Sequence, residues 1–132
     1  MSNPKPTITA KTIGAILKAQ RENINISQRQ VAEALAYRNV NFISMIESGR
    51  SNPPLGKLPE ITKAYQLDYK FVALMVKALY PEAWGTMFYI LDRCQKDDGL
   101  LGADGKTNSR EKVDKELDKL HAKELKKFNI RI

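Results

Sequence analysis

Residues 27 to 49, SQRQVAEALAYRNVNFISMIESG, constrain this chain more than any other stretch. Val31, Ala32 and Leu35 recur at helical spacing, and after a break so do Ile43 and Ile46, so two short helices each bury one side. Ser27 precedes the first run and Asn39 the second, where a side-chain oxygen can accept the orphan N–H groups of a first turn. Gly49, after Glu47 and Ser48, falls where a left-handed terminator ends a helix. Two helices joined by a tight bend, the second with a mixed polar face, form a helix-turn-helix pattern. That pattern predicts duplex DNA as the partner.

The rest of the chain reads as further helices around this pair. A first helix, capped by Thr9 and running to about Asn23, turns Ile13, Ile16 and Leu17 inward and Lys11 and Lys18 outward. Asn25, in the connector that follows, tolerates the positive φ that a reversal needs. The pair itself spans about 27–35 and 40–48. After the polar loop Arg50–Pro54, a fourth helix covers about 55–65 with Leu58, Ile61 and Tyr65 inward, and Pro59 moves its start toward Lys57. Asp68 caps a fifth, about 69–79, apolar on more than one side and so in need of two neighbours. Pro81 opens a sixth, about 82–96, with Trp84, Met87, Phe88, Leu91 and Cys94.

Residues 97–109, DDGLLGADGKTNS, show no periodicity and lack the ligand register of a calcium loop. The last helix, about 110–128, is densely charged, with Val113, Leu117, Leu120 and Phe128 on a narrow seam. The expected architecture is all-α. Residues 1–8 form a flexible N-terminal arm and 9–80 the helix-turn-helix domain; 81–96 are an additional, dimerising helix. A linker over 97–109 leads to a charged amphipathic C-terminal helix over 110–132.

The net charge is +7, and it is unevenly placed. Residues 1–80 hold 11 basic and 5 acidic side chains, against 11 and 10 in residues 81–132. The excess sits with the helix-turn-helix pattern, as a phosphate-binding surface requires. Cys94 and His121 are single representatives of their types; Cys94 reads as a buried thiol and His121 as a solvated side chain. No nucleophile–base pair, carboxylate dyad or phosphate-cradling glycine loop is present, so no enzyme, cofactor or metal is expected. No stretch reaches membrane-spanning length and no signal peptide opens the chain, which predicts a cytoplasmic protein with no membrane partner.

From Thr12 to Leu74 the chain resembles the Cro/repressor-type helix-turn-helix family (XRE family) of bacterial and phage regulators. The likeness rests on Ser27-Gln28 opening helix two, on Val31-Ala32 three residues past the glutamine, and on the close formed by Ile43, Ile46, Glu47, Gly49 and Pro53. It implies a five-helix core, sequence-specific operator binding and a homodimer. It also implies that Arg21 and Glu47 form a buried ion pair, whose breaking would cost about 3–5 kcal/mol. Two departures stand out: Ala36 replaces the glycine usual after the helix-two leucine, and one extra residue lies between Leu35 and Ile43.

The N-terminal part of a recognition helix points at base edges in the major groove. That nominates Asn39, Val40, Asn41 and Ser44, with Met45 facing either the groove or the core. Asn41 suits adenine and Val40 a thymine methyl, while Asn39 serves equally as a cap. Gln28, Arg38, Ser48, Arg50 and Asn52 are placed to meet phosphates, and Arg29 and Lys11 are weaker candidates for the same role. Val72, Met75, Leu79, Trp84 and Phe88 are the expected dimerisation surface; the alternative is that they complete a monomer core.

The expected function is a transcriptional regulator, a repressor binding an inverted-repeat operator in double-stranded DNA. The alternative is an antitoxin-like protein that covers a protein partner with its C-terminal region and autoregulates its operon. A third reading makes residues 110–128 a second dimerising or effector-responsive element.

Overall fold

A computed structural model describes residues 8–98 and 110–130, the side chains of 94–98 excepted. The proposed arm and linker, and the Cys94 thiol, lie largely or wholly outside the described residues. Helices α1 (Ala10–Asn23), α2 (Gln28–Ala34) and α3 (Asn41–Glu47) come first. A short 3₁₀ turn (Leu55–Lys57) leads into α4 (Leu58–Ala64), followed by α5 (Lys70–Leu79), α6 (Pro81–Asp98) and α7 (Arg110–Lys127). No strand occurs among the described residues.

Local chemistry sets the helix starts. Thr9 and Thr12 close a reciprocal capping box on α1, each hydroxyl accepting the other residue's main-chain N–H at 3.1 and 3.0 Å. Ser27 and Gln30 do the same on α2. The helix ends share one device. After α1, α2, α3, α4 and α7 the chain turns left-handed at Asn25, Ala36, Gly49, Gln66 and Asn129. In each case the next N–H reaches back to the carbonyl five residues before it, as in Tyr37 to Ala32 at 2.8 Å and Ile26 to Arg21 at 3.2 Å. One of the five is glycine. Where a side chain bears the strain, the following residue is an apolar anchor packed on the core: Ile26, Tyr37, Leu67 or Ile130.

The core gathers Ile13, Ile16 and Leu17 from α1 with Val31, Ile43, Ile46, Leu58, Ile61, Phe71, Leu74 and Met75. Helix α5 touches α1, α4, α6 and α7, which accounts for its apolar surface on more than one side. Helix α7 lies across α1 and α5, burying Leu117, His121 and Leu125 at helical spacing, flanked by half-buried Val113, Leu120 and Phe128.

Two expectations are corrected here. His121 is not solvated: it is 1% exposed, with Nε2 3.0 Å from Thr12 Oγ1. It shares the inner stripe with Leu117 and Leu125, so the helix's apolar contact surrounds it. Among the proposed dimerisation residues, Met75, Leu79 and Trp84 are buried within the protomer, and Trp84 Nε1 donates to Asp114 Oδ1 on α7 at 3.1 Å. Val72 and Phe88 are half-buried against the same core. Helix α7 packs on α5 and is bonded to Trp84, so part of this surface is used within the protomer.

Candidate nucleic-acid interface

Helix α3 divides cleanly into two sides. Ile43, Ile46 and Glu47 are buried; Asn41, Ser44, Met45 and Ser48, at spacings of three, one and three, are exposed along the other side. Met45, 40% exposed, therefore belongs to the outer row and not to the core.

The inner side is held by a carboxylate. Arg21 donates through Nε and Nη2 to Glu47 Oε2 and Oε1 at 2.8 and 3.1 Å. Tyr65 Oη donates to Oε2 at 2.7 Å, and Gln28 Nε2 to Oε1 at 3.1 Å. Arg21 also donates to the Ile26 carbonyl at 3.0 Å, joining the end of α1 to the start of α2. A charge whose side chain is 2% exposed is tolerable because four hydrogen bonds from three elements surround it. The Glu47 hydrogen bond pushes the Arg21 guanidinium further up, against burial. Burial first, and then the bond to Glu47, hold the Tyr65 phenol above its ordinary value.

Main-chain contact completes the clamp. A Cβ on Gly14 would lie 2.5 Å from the carbonyl oxygens of both Ile46 and Glu47, and one on Gly49 2.7 Å from Lys11 Cα. Helix α1 therefore meets the end of α3 backbone to backbone, and both positions require glycine. Gly49 has φ +78°, so its lack of a side chain serves conformation as well as space.

The bend between α2 and α3 is rebuilt around the missing glycine. Ala36 takes φ +61°, Tyr37 and Phe42 meet edge to face with centroids 5.0 Å apart, and Val40 turns partly onto the core. Asn39 is not the N-cap expected for it: Val40 holds that position without a side-chain bond, and Asn39 Oδ1 accepts the Asn41 N–H at 3.0 Å in a turn ahead of the helix. Of the nominated base-contacting residues, Asn41, Ser44 and Met45 stand fully on the open side; Val40 and Asn39 have structural duties.

The phosphate candidates surround this row. Arg38, Arg50 and Asn52 are exposed, Arg29 pairs loosely with Glu33 at 3.5 Å in full solvent, and Ser48 Oγ donates to the Met45 carbonyl at 3.1 Å. Gln28 has a second duty: its side-chain amide donates to Glu47 from a half-buried position at the start of α2. Sequence reasoning missed Gly14, Phe42 and the part played by the Tyr65 hydroxyl. A glycine beside Ile13 in a helix was a readable sign of close packing, whereas nothing marked the Tyr65 hydroxyl.

A buried clamp behind an exposed polar row defines a helix-turn-helix reading head. Residues 17–72 match the family model described as Helix-turn-helix, so this part of the chain is similar to the Cro/repressor-type (XRE family) DNA-binding domains found in transcriptional regulators. No curated protein and no solved structure matches the chain. Among the described residues no group of histidine, cysteine or carboxylate side chains could hold a metal ion, and no helix is long and apolar enough to cross a membrane.

Proposed function

We propose that this protein is a non-enzymatic transcriptional repressor that binds an inverted-repeat operator as a homodimer. The observation carrying the reading is the split of α3: Glu47 locked from behind by Arg21, Gln28 and Tyr65, with Asn41, Ser44 and Met45 left free in front. Asn41 carries the donor–acceptor pair that matches adenine N7 and N6, and Met45 offers apolar contact to a thymine methyl. Arg50 and Asn52, just past the helix, and Arg38 before it, fix register through phosphates. Repression needs nothing beyond occupancy, since a bound dimer blocks the duplex it covers.

Two copies bring their recognition helices to half-sites about 34 Å apart. With Met75, Leu79 and Trp84 used internally, the apolar surface left on α6 is Met87, Tyr89 and Ile90, at 38, 65 and 52% exposed. We place the dimer contact there. The antitoxin-like alternative loses support, because the seam of α7 that would cover a partner is spent on α1 and α5.

The test is selection of duplexes from a random-sequence pool, followed by affinity for the enriched sequence. Asn41→Ala should lower affinity for that sequence by about 1–3 kcal/mol and leave random-duplex binding unchanged. Equal losses on both would exclude base reading by Asn41, and no enrichment by the wild type would exclude the function.

A further inference from the structure

The outer face of α7 plays no part in the reading head, yet it is strongly patterned. Lys112, Lys115, Lys119, Lys123 and Lys126 recur at spacings of three, four, four and three, opposite buried Leu117, His121 and Leu125. All five are exposed. Lys115 meets Glu111 at 3.6 Å; Lys119, Lys123 and Lys126 have no carboxylate partner among the described residues. Of the helix's five acids, Asp114 and Asp118 lie at the inner edge, 3.3 and 3.4 Å from Lys77 of α5, and Glu124 is half-buried; Glu111 and Glu116 are exposed beside the first half of the row, which leaves Lys119, Lys123 and Lys126 as its single-sign part.

This segregation works against the helix. Lys115 with Lys119, and Lys119 with Lys123, are like charges one turn apart, each such pair destabilising by about 0.2–0.5 kcal/mol. A face serving only solubility is better built from both signs interspersed. A second copy of the same face would be repelled. The single-sign part, from Lys119 to Lys126, is about 10 Å long at 1.5 Å per residue and suits the phosphates of a regular polyanion.

The position of α7 says which polyanion. Its second half is fastened to the first turn of α1 by His121 and Thr12. That same turn closes on Gly49 through Lys11, one residue before Arg50. Helix α7 is thus joined through the first turn of α1 to the end of the recognition helix. Resting on the DNA reading above, we infer that the outer face of α7 is a second phosphate-binding surface, which grips the duplex flanking the half-site. It adds affinity and no sequence preference.

The test uses the full chain and the triple variant Lys119→Gln, Lys123→Gln, Lys126→Gln on the enriched duplex. That duplex is presented in two lengths, trimmed to the selected site and extended by about two helical turns (~21 bp) on each side. On the extended duplex, the slope of log affinity against log salt should fall by about 2–3, near 0.9 per lost contact. On the trimmed duplex the two proteins should coincide, and the matching Lys→Arg triple should restore the slope. Circular dichroism checks that the glutamine variant keeps its helices; if it does not, the arginine triple against single glutamine variants gives the same comparison at about one unit of slope each.

An unchanged slope on the extended duplex would overturn the inference while leaving the reading head intact, and would direct the row toward an acidic protein. Equal losses on both lengths would also overturn it, showing a diffuse field in place of contact. A wild type that enriches no duplex removes the DNA reading itself, and this inference with it.

Discussion

Ala36 holds a left-handed conformation that a Cβ disfavours by about 1–2 kcal/mol. It is kept there by two reverse-turn hydrogen bonds, Ala36 to Glu33 and Tyr37 to Ala32, and by Tyr37 packing on Phe42. Glycine would relieve the strain but lose more freedom on folding, by about 0.5–1 kcal/mol. Ala36→Gly should therefore stabilise the protein by a net of up to ~1.5 kcal/mol in urea unfolding, the difference of those two terms; a loss of stability would show that the alanine is not strained. Gly49 is the contrasting case. Because glycine takes the left-handed position freely, the next residue need not be an apolar anchor, and Arg50 stands exposed beside the recognition helix. Such details were partly legible: Asn25 and Gly49 announce themselves by residue type, whereas Ala36 carries no signal beyond the absence of a glycine.

At the scale of elements, the helix ends in the sequence reading agree with the structure to within one or two residues. Caps and prolines act locally, so their chemistry is written in neighbouring letters. The seating of α7 was not legible. His121 and Thr12 stand 109 residues apart, and a contact at that separation leaves no trace in periodicity. Its consequence is titratable. Burial pushes the His121 imidazole below its usual value, with Asp118 from the same helix pulling the opposite way. The folded state therefore favours the neutral ring, while the unfolded chain protonates near 6.5. The stability this represents is present above about pH 6.5 and is lost as pH falls through the lower folded value. Wild type should lose thermal stability between pH 7 and 5 more steeply than His121→Leu. Parallel pH profiles would show that the ring is not kept neutral in the fold.

At the scale of the whole molecule, the reading head and the C-terminal helices form one packed body. Helix α7 closes over Trp84 and Thr12, so the apolar residues that looked surplus in α5 and α6 are consumed within one protomer. Sequence alone could not separate the two uses, because an apolar helix face is the same string whether an intramolecular or a second-copy neighbour covers it. Of the apolar residues still exposed on α6, Met87 and Ile90 lie one turn apart. Met87→Glu with Ile90→Glu should convert a dimer to a monomer in sedimentation velocity and weaken binding to a two-half-site duplex by at least tenfold. Single-half-site affinity should hold. An undisturbed dimer would move the interface elsewhere.

The bare contact of Gly14 with the carbonyls of Ile46 and Glu47 has a further consequence. Since the scaffold grips α3 by its main chain and its inward residues, the outward row bears little of the architecture's weight. Asn41, Ser44 and Met45 can be exchanged as letters on an unchanged frame, each new combination inheriting the same stance on the double helix. Divergence of address without divergence of form is open to this chain, and a retargeted descendant would melt at nearly the temperature of its parent.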